Sequence, residues 1–185
     1  MKVLLGLALV SLLAACTLAP QKVQVMPSLS FEALKGLQTP IELVVEDGRK
    51  ITSRLGYRNA KKEGVIEFST PLVQALGKSM QKAMLAQGVN MKRGNEPFTK
   101  LTLRINKLEY TSPDQNWVSH IKVKGEISLL VSRGGAGFKK RFSVNRSQDV
   151  ATAPSLEFNE KYMNALLSEI INKAMNDRDV INFIQ

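Results

Sequence analysis

The 185-residue chain contains only one cysteine and one histidine. A single cysteine cannot form an intrachain disulfide, and these two residues are too few for a cysteine/histidine zinc site. Acidic residues are also in the minority, 16 against 26 lysines and arginines, so the formal net charge is +10. Hydrophobic residues at 44% and charged residues at 23% are typical of a globular protein and exclude wholesale disorder. The composition therefore predicts one ordinary folded domain with no metal and no other cofactor.

The longest apolar run is at the N-terminus, where a short positive start is followed by 13 apolar or small residues, 3–15. A membrane-spanning helix needs about 20 residues, so this run is too short to cross a bilayer but suits the core of a signal peptide. It ends in Leu13-Ala14-Ala15-Cys16, which resembles the lipobox of bacterial lipoproteins. The resemblance implies cleavage after residue 15 and acylation of the Cys16 thiol. The alternative is an ordinary signal peptide with a chance cysteine beside its cleavage site.

Acylation of Cys16 would anchor the chain to a membrane, because each buried methylene of an acyl chain contributes about 0.8 kcal/mol. The next residue is Thr17. In lipoproteins of Gram-negative bacteria an aspartate at that position usually signals retention in the inner membrane, so its absence favours the outer membrane. The domain would then face the periplasm, where a basic protein meets no nucleic acid. The anions it meets there are lipopolysaccharide, phospholipid headgroups, peptidoglycan carboxylates and acidic proteins.

Composition divides the chain into three parts. We predict a cleaved lipoprotein signal peptide over residues 1–15, a lipidated cysteine and tether over 16–40, and a single α+β periplasmic domain over 41–185. The middle part carries Pro20, Pro27 and Pro40 with little periodicity. Such a sequence is typical of a linker, here one that lifts the domain off the membrane.

Alternating apolar and polar residues predict short strands from Ile41 and over 65–68, followed by three long strands. Short connections, including a glycine-rich turn at 134–137, indicate that the long strands form an antiparallel meander, with a bulge near Asn106. Apolar residues at helical spacing predict one helix after Thr70, its N-cap, and a second near the C-terminus. Ser155 or Asn159 can cap the second helix, and Asp177 can cap a last short turn after it. The predicted fold class is therefore α+β, a two-layer domain with two helices covering one face of an antiparallel sheet. Gly77, inside the first helix, predicts close packing at that point.

Six cations have solvent-facing parity in the three predicted long strands. Like charges opposite each other in a sheet are unfavourable, so a bound anion would offset their repulsion. The alternative is a solvated face whose lysines keep sheet edges from aggregating, which is the commoner role of such faces. The candidate anion-binding residues are Lys100, Arg104, Lys122, Lys124, Lys139 and Arg141.

No motif in the sequence argues for catalysis. His120 lies among the cations, but the sequence shows no nucleophile-elbow serine, no second cysteine and no orienting carboxylate for it. The glycine-rich turn joins two strands and not a strand to a helix, so it is a hairpin turn and not a phosphate-binding loop. We expect no catalytic and no metal-binding residues, and an envelope hydrolase is the remote alternative.

The order of elements resembles the YajG family of uncharacterised bacterial lipoproteins. The resemblance rests on the lipobox, on Asp47-Gly48-Arg49 after the first strand, on the helix end at 85–89, on the long second meander strand and on the C-terminal residues 179–184. It implies an outer-membrane lipoprotein of unknown biochemical role, with no catalytic residues to carry over. We interpret Asp47 and Arg49 as turn chemistry with a solvated arginine.

Two functions of different class follow from these observations. The first is a non-enzymatic binding or assembly module, anchored by its lipid, whose basic sheet face contacts lipopolysaccharide, phospholipid or peptidoglycan. The second is an adaptor subunit of an envelope protein complex that uses an apolar helix or loop surface. Electrostatic binding weakens steeply as ionic strength rises, whereas binding through an apolar interface does not.

Overall fold

The computed structural model describes residues 18–95, 97–115, 118–151 and 153–185. Cys16 and the predicted signal peptide lie outside the described residues. The elements in chain order are β1 (Gln21–Val23), a 3-10 turn (Glu32–Leu34), β2 (Ile41–Asp47), β3 (Gly56–Tyr57), β4 (Val65–Phe68), α1 (Leu72–Ala86), β5 (Thr99–Thr111), β6 (Asp114–Gln115), β7 (Val118–Arg133), β8 (Ala136–Val150), α2 (Leu156–Met175) and α3 (Arg178–Ile184).

The main sheet has β5 between β2 and β7, while β8 pairs with the other edge of β7 and the short β6 pairs with its start. Strands β5, β7 and β8 form the predicted antiparallel meander, and the register shift between Ile105 and Lys107 confirms the bulge. Strand β2, in contrast, pairs with β5 in parallel. The sheet is therefore mixed and not wholly antiparallel, because α1 carries the chain back to the end at which β2 began.

A glycine hairpin joins β7 to β8. Gly134 and Gly135 have φ angles of 57° and 86°, and a two-residue type I′ turn requires positive φ at both central positions. The sequence prediction of a hairpin turn is confirmed.

Both main helices lie on one face of the main sheet, as predicted. Helix α1 packs on β2, and α2 packs across β7 and β8. Gly125 of β7 lies under α2, where a Cβ would be 3.2 Å from the Leu166 side chain, so the glycine permits a close approach of helix to sheet. The α+β class with two helices over the sheet is thus confirmed.

A second, three-stranded sheet was not predicted. In it β4 lies between β1, which is parallel to it, and β3, which is antiparallel. The backbone of Gly56 in β3 runs so close to β5 that a Cβ would lie 2.4 Å from the carbonyl oxygen of Tyr110. Glycine is therefore required where the small sheet meets the large one.

The helix caps differ in part from the predictions. Ser155 caps α2 by accepting a hydrogen bond from the Phe158 N–H at 3.1 Å. Thr70 does not cap α1, which begins at Leu72 after Pro71 without a side-chain cap. Asp177 caps α3 as predicted and accepts from the Val180 N–H at 3.4 Å.

Asp177 also makes the stability of the fold depend on pH in the acidic range. Burial alone would raise the pKa of this carboxyl, but two 2.8 Å hydrogen bonds from Lys140 and the N–H groups of α3 outweigh it, so the pKa lies below its ordinary value of 3.8. A lowered pKa in the folded state means that the contribution to stability is present above pH 4 and is lost as pH falls through the folded-state pKa. Asp179, at 2.7 Å from the same ammonium, is the other carboxylate on Lys140.

We therefore expect the variant Asp177→Asn to lose less stability than the natural chain when pH is lowered from 5 to 3. Asparagine keeps the cap but cannot titrate. Urea unfolding at each pH measures the difference, and equal losses in both proteins would contradict this role of Asp177.

Residues 18–40 are part of the fold, which corrects the prediction of a tether over 16–40. Val23 and Phe31 are fully buried, and Val25 and Leu34 are 5% and 2% exposed. The start of the segment is fixed by a buried chain of hydrogen bonds, each of 3.1 Å or less: Tyr110 Oη donates to Asn159 Oδ1, Asn159 Nδ2 to Gln21 Oε1, and Gln21 Nε2 to the carbonyl of Pro154. Burial raises the pKa of the Tyr110 phenol, which therefore stays a hydrogen-bond donor.

The same segment runs in extended form along α2, held by alternate backbone groups. A strand advances about 6.6–6.8 Å per two residues, and a helix rises about 6.0 Å per four, so every second backbone N–H meets every fourth helical side chain. We call this arrangement the polar ladder. Its N–H donors and side-chain acceptors are Gln24 to Glu160 (2.8 Å), Met26 to Asn164 (2.7 Å), Ser28 to Ser168 (2.8 Å) and Ser30 to Asn172 (2.9 Å).

The asparagines of the ladder also bind the backbone in the opposite sense. Asn164, Asn172 and Asn176 each donate from Nδ2 to a backbone carbonyl of the segment, at 2.9 to 3.1 Å. The ladder thus satisfies backbone groups that a sheet neighbour would otherwise satisfy. It replaces the predicted free tether with a docked segment.

Candidate functional site

All six predicted cations lie on the face of the main sheet that the helices leave uncovered. We call it the open face. The pairing registers place Arg104 opposite Ser128 and Ser128 opposite Arg141, and they place Lys122 and Lys124 at alternate positions of β7. The parity predicted from the sequence is therefore the parity observed.

The six cations form two groups and not one cluster. Lys100, Arg104, Lys139 and Arg141 lie toward the hairpin end, whereas Lys122 and Lys124 lie toward the other end of the sheet. Ser128 lies in the middle of the first group, four positions after Lys124 in β7. Four steps along a strand cover about 13 Å. A single small anion cannot bridge both groups.

Carboxylates lie among the cations on the same face. Arg104 is 3.9 Å from Glu46, and Arg141 is 3.5 Å from Glu126. These ion pairs depend on cross-strand register, which the sequence alone does not give. The two arginines therefore have partners within the protein, and the open face carries carboxylates as well as cations.

Lys122 and Lys124 differ from those arginines, since neither side chain makes an ion pair or a hydrogen bond within the part of the chain that the structure describes. They lie on a groove of about 450 Å³ that crosses β5, β7 and β8. We call it the lysine groove. Its polar lining can offer two ammonium groups, two hydroxyls and an amide to one ligand, and it also includes one carboxylate and one arginine. The lining residues are Glu109, Thr111, Lys122, Val123, Lys124, Asn145, Arg146 and Ser147.

The structure corrects the interpretation of His120 as a histidine without a carboxylate. Asp149 lies directly opposite it in the β7–β8 register, and its carboxylate contacts the His120 Nδ1. The side chain of His120 is 31% exposed and that of Asp149 is 62% exposed. Within the described ranges no hydroxyl or thiol is hydrogen-bonded to the ring, so the pair lacks the nucleophile that a hydrolytic triad needs.

Arg49 is buried, which corrects its interpretation as a solvated arginine. Its guanidinium makes a two-bond contact with the Asp47 carboxylate, at 2.9 and 2.8 Å, and donates to the carbonyl of Thr52 at 3.2 Å. Only 4% of the Arg49 side chain and 13% of the Asp47 side chain are exposed. Gly48 between them passes β5 so closely that a Cβ would lie 2.6 Å from Arg104 Nε. The Asp47-Gly48-Arg49 motif therefore closes the loop after β2 and serves the structure.

Gly77 lines a second groove, between β2 and α1. The prediction of close packing at Gly77 is wrong. A Cβ there would have only one neighbour within 4 Å, Val45 Cγ2 at 4.0 Å. The groove measures about 260 Å³ and borders the outer edge of β2. We call it the α1 groove, and its lining residues are Leu43, Val45, Val73, Gly77, Gln81 and Met91.

The chain itself pairs with the edge of β2 next to this groove. Ile41 accepts from the Lys92 N–H at 2.9 Å and donates to the Asn90 carbonyl at 2.8 Å. Because alternate residues of a strand direct their backbone groups to the same side, Leu43 and Val45 direct theirs outward too. Neither makes a hydrogen bond there within the described part of the chain.

The described residues provide neither a metal cluster nor a membrane span. No three His, Cys, Asp or Glu side chains in these ranges gather closely enough to hold a metal ion. Among the same residues, no helix combines the length and the apolar composition that crossing a bilayer requires.

Sequence comparison finds one matching protein family. A profile described as "Uncharacterized lipoprotein" matches residues 34–185. No curated protein matches the chain. The family match covers both grooves and the open face, but it brings no assigned site residue with it.

Comparison with solved structures also finds matches. Protein XCC0632 from Xanthomonas campestris, of the family DUF330, has a TM-score of 0.58 at 15% identity, over 91% of this chain and 97% of that one. The rare lipoprotein B from Shewanella oneidensis has a TM-score of 0.43 at 12% identity, over 77% and 92%. A minor lipoprotein from Acinetobacter baumannii has a TM-score of 0.37 at 11% identity, over 85% and 92%. Only the first is similar enough to support the fold, and it supports nothing beyond the fold.

Proposed function

Because the chain belongs to the family of uncharacterized lipoproteins, we propose that it is a non-enzymatic binding or assembly module held at the outer membrane by an acylated Cys16. In this proposal the domain faces the periplasm and binds an anionic component of the envelope. The family is described as a lipoprotein family, and the lipobox supplies the residue for the anchor. The site is the lysine groove.

The observation that carries the proposal is a pair of lysines whose side chains make no ion pair or hydrogen bond among the described residues, in a groove that also presents two hydroxyls and an amide. Lys122 and Lys124 lie at alternate positions of one strand, so their ammonium groups are held side by side despite their repulsion. Thr111 and Ser147 flank Lys122 in the register, and Glu109 and Asn145 flank Lys124. Glu109 is paired with Lys107 at 2.9 Å. Phosphate and carboxylate oxygens accept hydrogen bonds from the ammonium, hydroxyl and amide groups. A phosphorylated sugar or a lipid headgroup matches this chemistry, and so does a peptidoglycan peptide carboxylate.

A salt titration tests whether such binding exists. Residues 17–185, prepared without Cys16, are sedimented with purified cell-wall sacculi and, separately, with lipopolysaccharide vesicles, from 20 to 500 mM salt. We expect binding to one of them that falls steeply over this range, because screening weakens contacts between exposed charges. Binding that is insensitive to salt, or absent with both, would contradict the proposal.

The adaptor function is favoured by a different observation, the α1 groove beside the part of the β2 edge, at Leu43 and Val45, that makes no backbone hydrogen bond among the described residues. An extended segment of an envelope protein can add to such an edge through backbone hydrogen bonds, with its apolar side chains in the groove. The variant Gly77→Gln fills the groove without changing charge. If the protein is an adaptor, a photocrosslinking residue at Val73 should give one discrete adduct in the intact envelope, and Gly77→Gln should abolish it. No adduct with Gly77 intact would eliminate this function.

A further inference from the structure

The domain is fixed almost up to the predicted lipid anchor. Arg58 donates to the Ala19 carbonyl at 3.1 Å and to the Pro154 carbonyl at 3.2 Å, and so ties the N-terminal segment to the start of α2. Gly64 has φ of +60°, and a Cβ there would lie 2.9 Å from Leu18 Cβ. Leu18 therefore packs directly on the loop 58–64.

One residue, Thr17, separates this docked Leu18 from Cys16. Two residues of fully extended chain span at most about 7 Å. Acyl chains on Cys16 insert into the bilayer and hold Cys16 itself at the membrane surface, so the part of the domain around Leu18 cannot stand far above that surface. We infer that the end of the domain formed by residues 18–22, the loop 58–64, Val118 and residues 153–156, here called the anchor end, rests on the phospholipid headgroups. This inference rests on the proposed acylation of Cys16.

The surface chemistry of the anchor end suits a phospholipid membrane. Lys61 and Lys62 are exposed on the loop 58–64, and basic residues beside an anchor are attracted to anionic headgroups. Glu63 of the same loop binds the Asn59 amide at 2.8 Å. Two of the few exposed large apolar side chains also belong to this end, namely Val118 at 39% and Leu156 at 40% exposure. Basic and apolar groups together are typical of surfaces that lie at a membrane interface.

This orientation also places the lysine groove. The strands of the meander would run away from the membrane, and β7 would carry its hairpin about 50 Å from the anchor end. Lys122 lies four residues after Val118, about 13 Å along the strand. The lysine groove would thus face the layer just above the headgroups, and the second cation group, around Arg104 and Arg141, would lie farther into the periplasm.

The test measures which end of the acylated full chain touches the bilayer. Acylation consumes the thiol of Cys16, so a cysteine introduced at Lys61 or at Ser132, an exposed residue near the hairpin, can be labelled alone with a fluorophore. The protein is reconstituted in vesicles of phosphatidylethanolamine and phosphatidylglycerol that contain a headgroup-nitroxide phospholipid. We expect quenching of the label in Lys61→Cys to be at least threefold that in Ser132→Cys.

The outcomes separate this inference from the proposed function. Equal quenching at both labels in a chain that floats with the vesicles would overturn the orientation alone. A chain that does not float would overturn the acylation of Cys16, and the orientation with it. A Gly/Ser insertion of ten residues between Thr17 and Leu18 should leave flotation intact and reduce the quenching at position 61 at least twofold. Unchanged quenching would contradict the inference that the short chain between Cys16 and Leu18 holds the anchor end at the membrane.

Discussion

Replacing Arg49 by alanine is expected to lower the free energy of unfolding by about 3–5 kcal/mol, the usual cost of removing one partner of a buried ion pair. The alanine would leave the Asp47 carboxylate, whose side chain is 13% exposed, without its guanidinium. It would also remove the hydrogen bonds from Arg49 to carbonyls of the 49–55 loop. The contact of the guanidinium with the Phe68 ring would be lost as well.

Urea denaturation measures this effect, with Lys50→Ala as the matched control. Lys50 is the exposed neighbour, and its replacement is expected to change stability by no more than about 0.5 kcal/mol. The double variant Asp47→Ala/Arg49→Ala should lose less than the sum of the two single variants, because no charge is left unpaired. If Arg49→Ala costs no more than the control, the arginine is solvated after all.

Removal of the polar ladder is the second change with a large expected effect. The triple variant Asn164→Ala, Asn172→Ala and Asn176→Ala deletes five hydrogen bonds to the N-terminal segment. At about 1 kcal/mol each, less about 0.6 kcal/mol that each alanine returns in helix propensity, the net loss is about 3 kcal/mol. The segment should also open locally and become accessible to proteases between Gln24 and Phe31.

A matched control replaces three exposed helical residues of α1, Gln74, Lys78 and Lys82, by alanine. Those side chains make no hydrogen bond or ion pair within the described residues, so the control gains helix propensity and loses nothing. Thermal unfolding and limited proteolysis compare the two triple variants. Equal stability and equal cleavage would show that the ladder does not hold the segment.

The parts of the fold that the sequence predicted depend on local patterns. The meander follows from alternation and short connections, the hairpin from two adjacent glycines, and the caps at Ser155 and Asp177 from side chains next to their own helices. The parallel pairing of β2 with β5 is non-local, because it depends on the path of α1 across the sheet. No pattern within β2 distinguishes a parallel from an antiparallel neighbour.

The docked N-terminal segment was missed because its partner does not look like a binding surface. Polar residues recur every four positions along α2 and at its C-cap, a pattern typical of an ordinary solvated helix face. They are Glu160, Asn164, Ser168, Asn172 and Asn176. The available signal was the abundance of asparagine and serine there, since both compete for backbone groups and weaken helices. In the sequence, Val23, Val25 and Phe31 fall at positions of the same parity. This period of two is the one that an extended segment needs to bury one side.

The candidate site was predicted in the same partial way. Parity along each strand placed all six cations on one face, because side chains alternate strictly in a sheet. Register between strands decides which carboxylate meets which cation. Only the structure therefore distinguishes the paired Arg104 and Arg141 from Lys122 and Lys124, which have no ion pair in the described part of the chain. The burial of Arg49 was equally invisible, since it depends on the loop folding back over Asp47.

The central claim, that the lysine groove is a binding site, is tested most directly by two variants of equal charge. Lys122→Glu/Lys124→Glu reverses the charge of the two groove lysines. Lys100→Glu/Lys139→Glu reverses two exposed lysines of the other group on the same face, which make no ion pair among the described residues. Both are compared with the natural sequence by co-sedimentation at 20 mM salt with whichever component binds. At about 1 kcal/mol per lysine near an anionic surface, loss of the two ammonium groups alone weakens binding about 30-fold. The two glutamates also repel an anion, so the groove variant should bind at least that much more weakly, and the control nearly as well as the natural chain. Equal weakening in both variants would contradict the account, because the groove would then be no more than part of a generally basic surface.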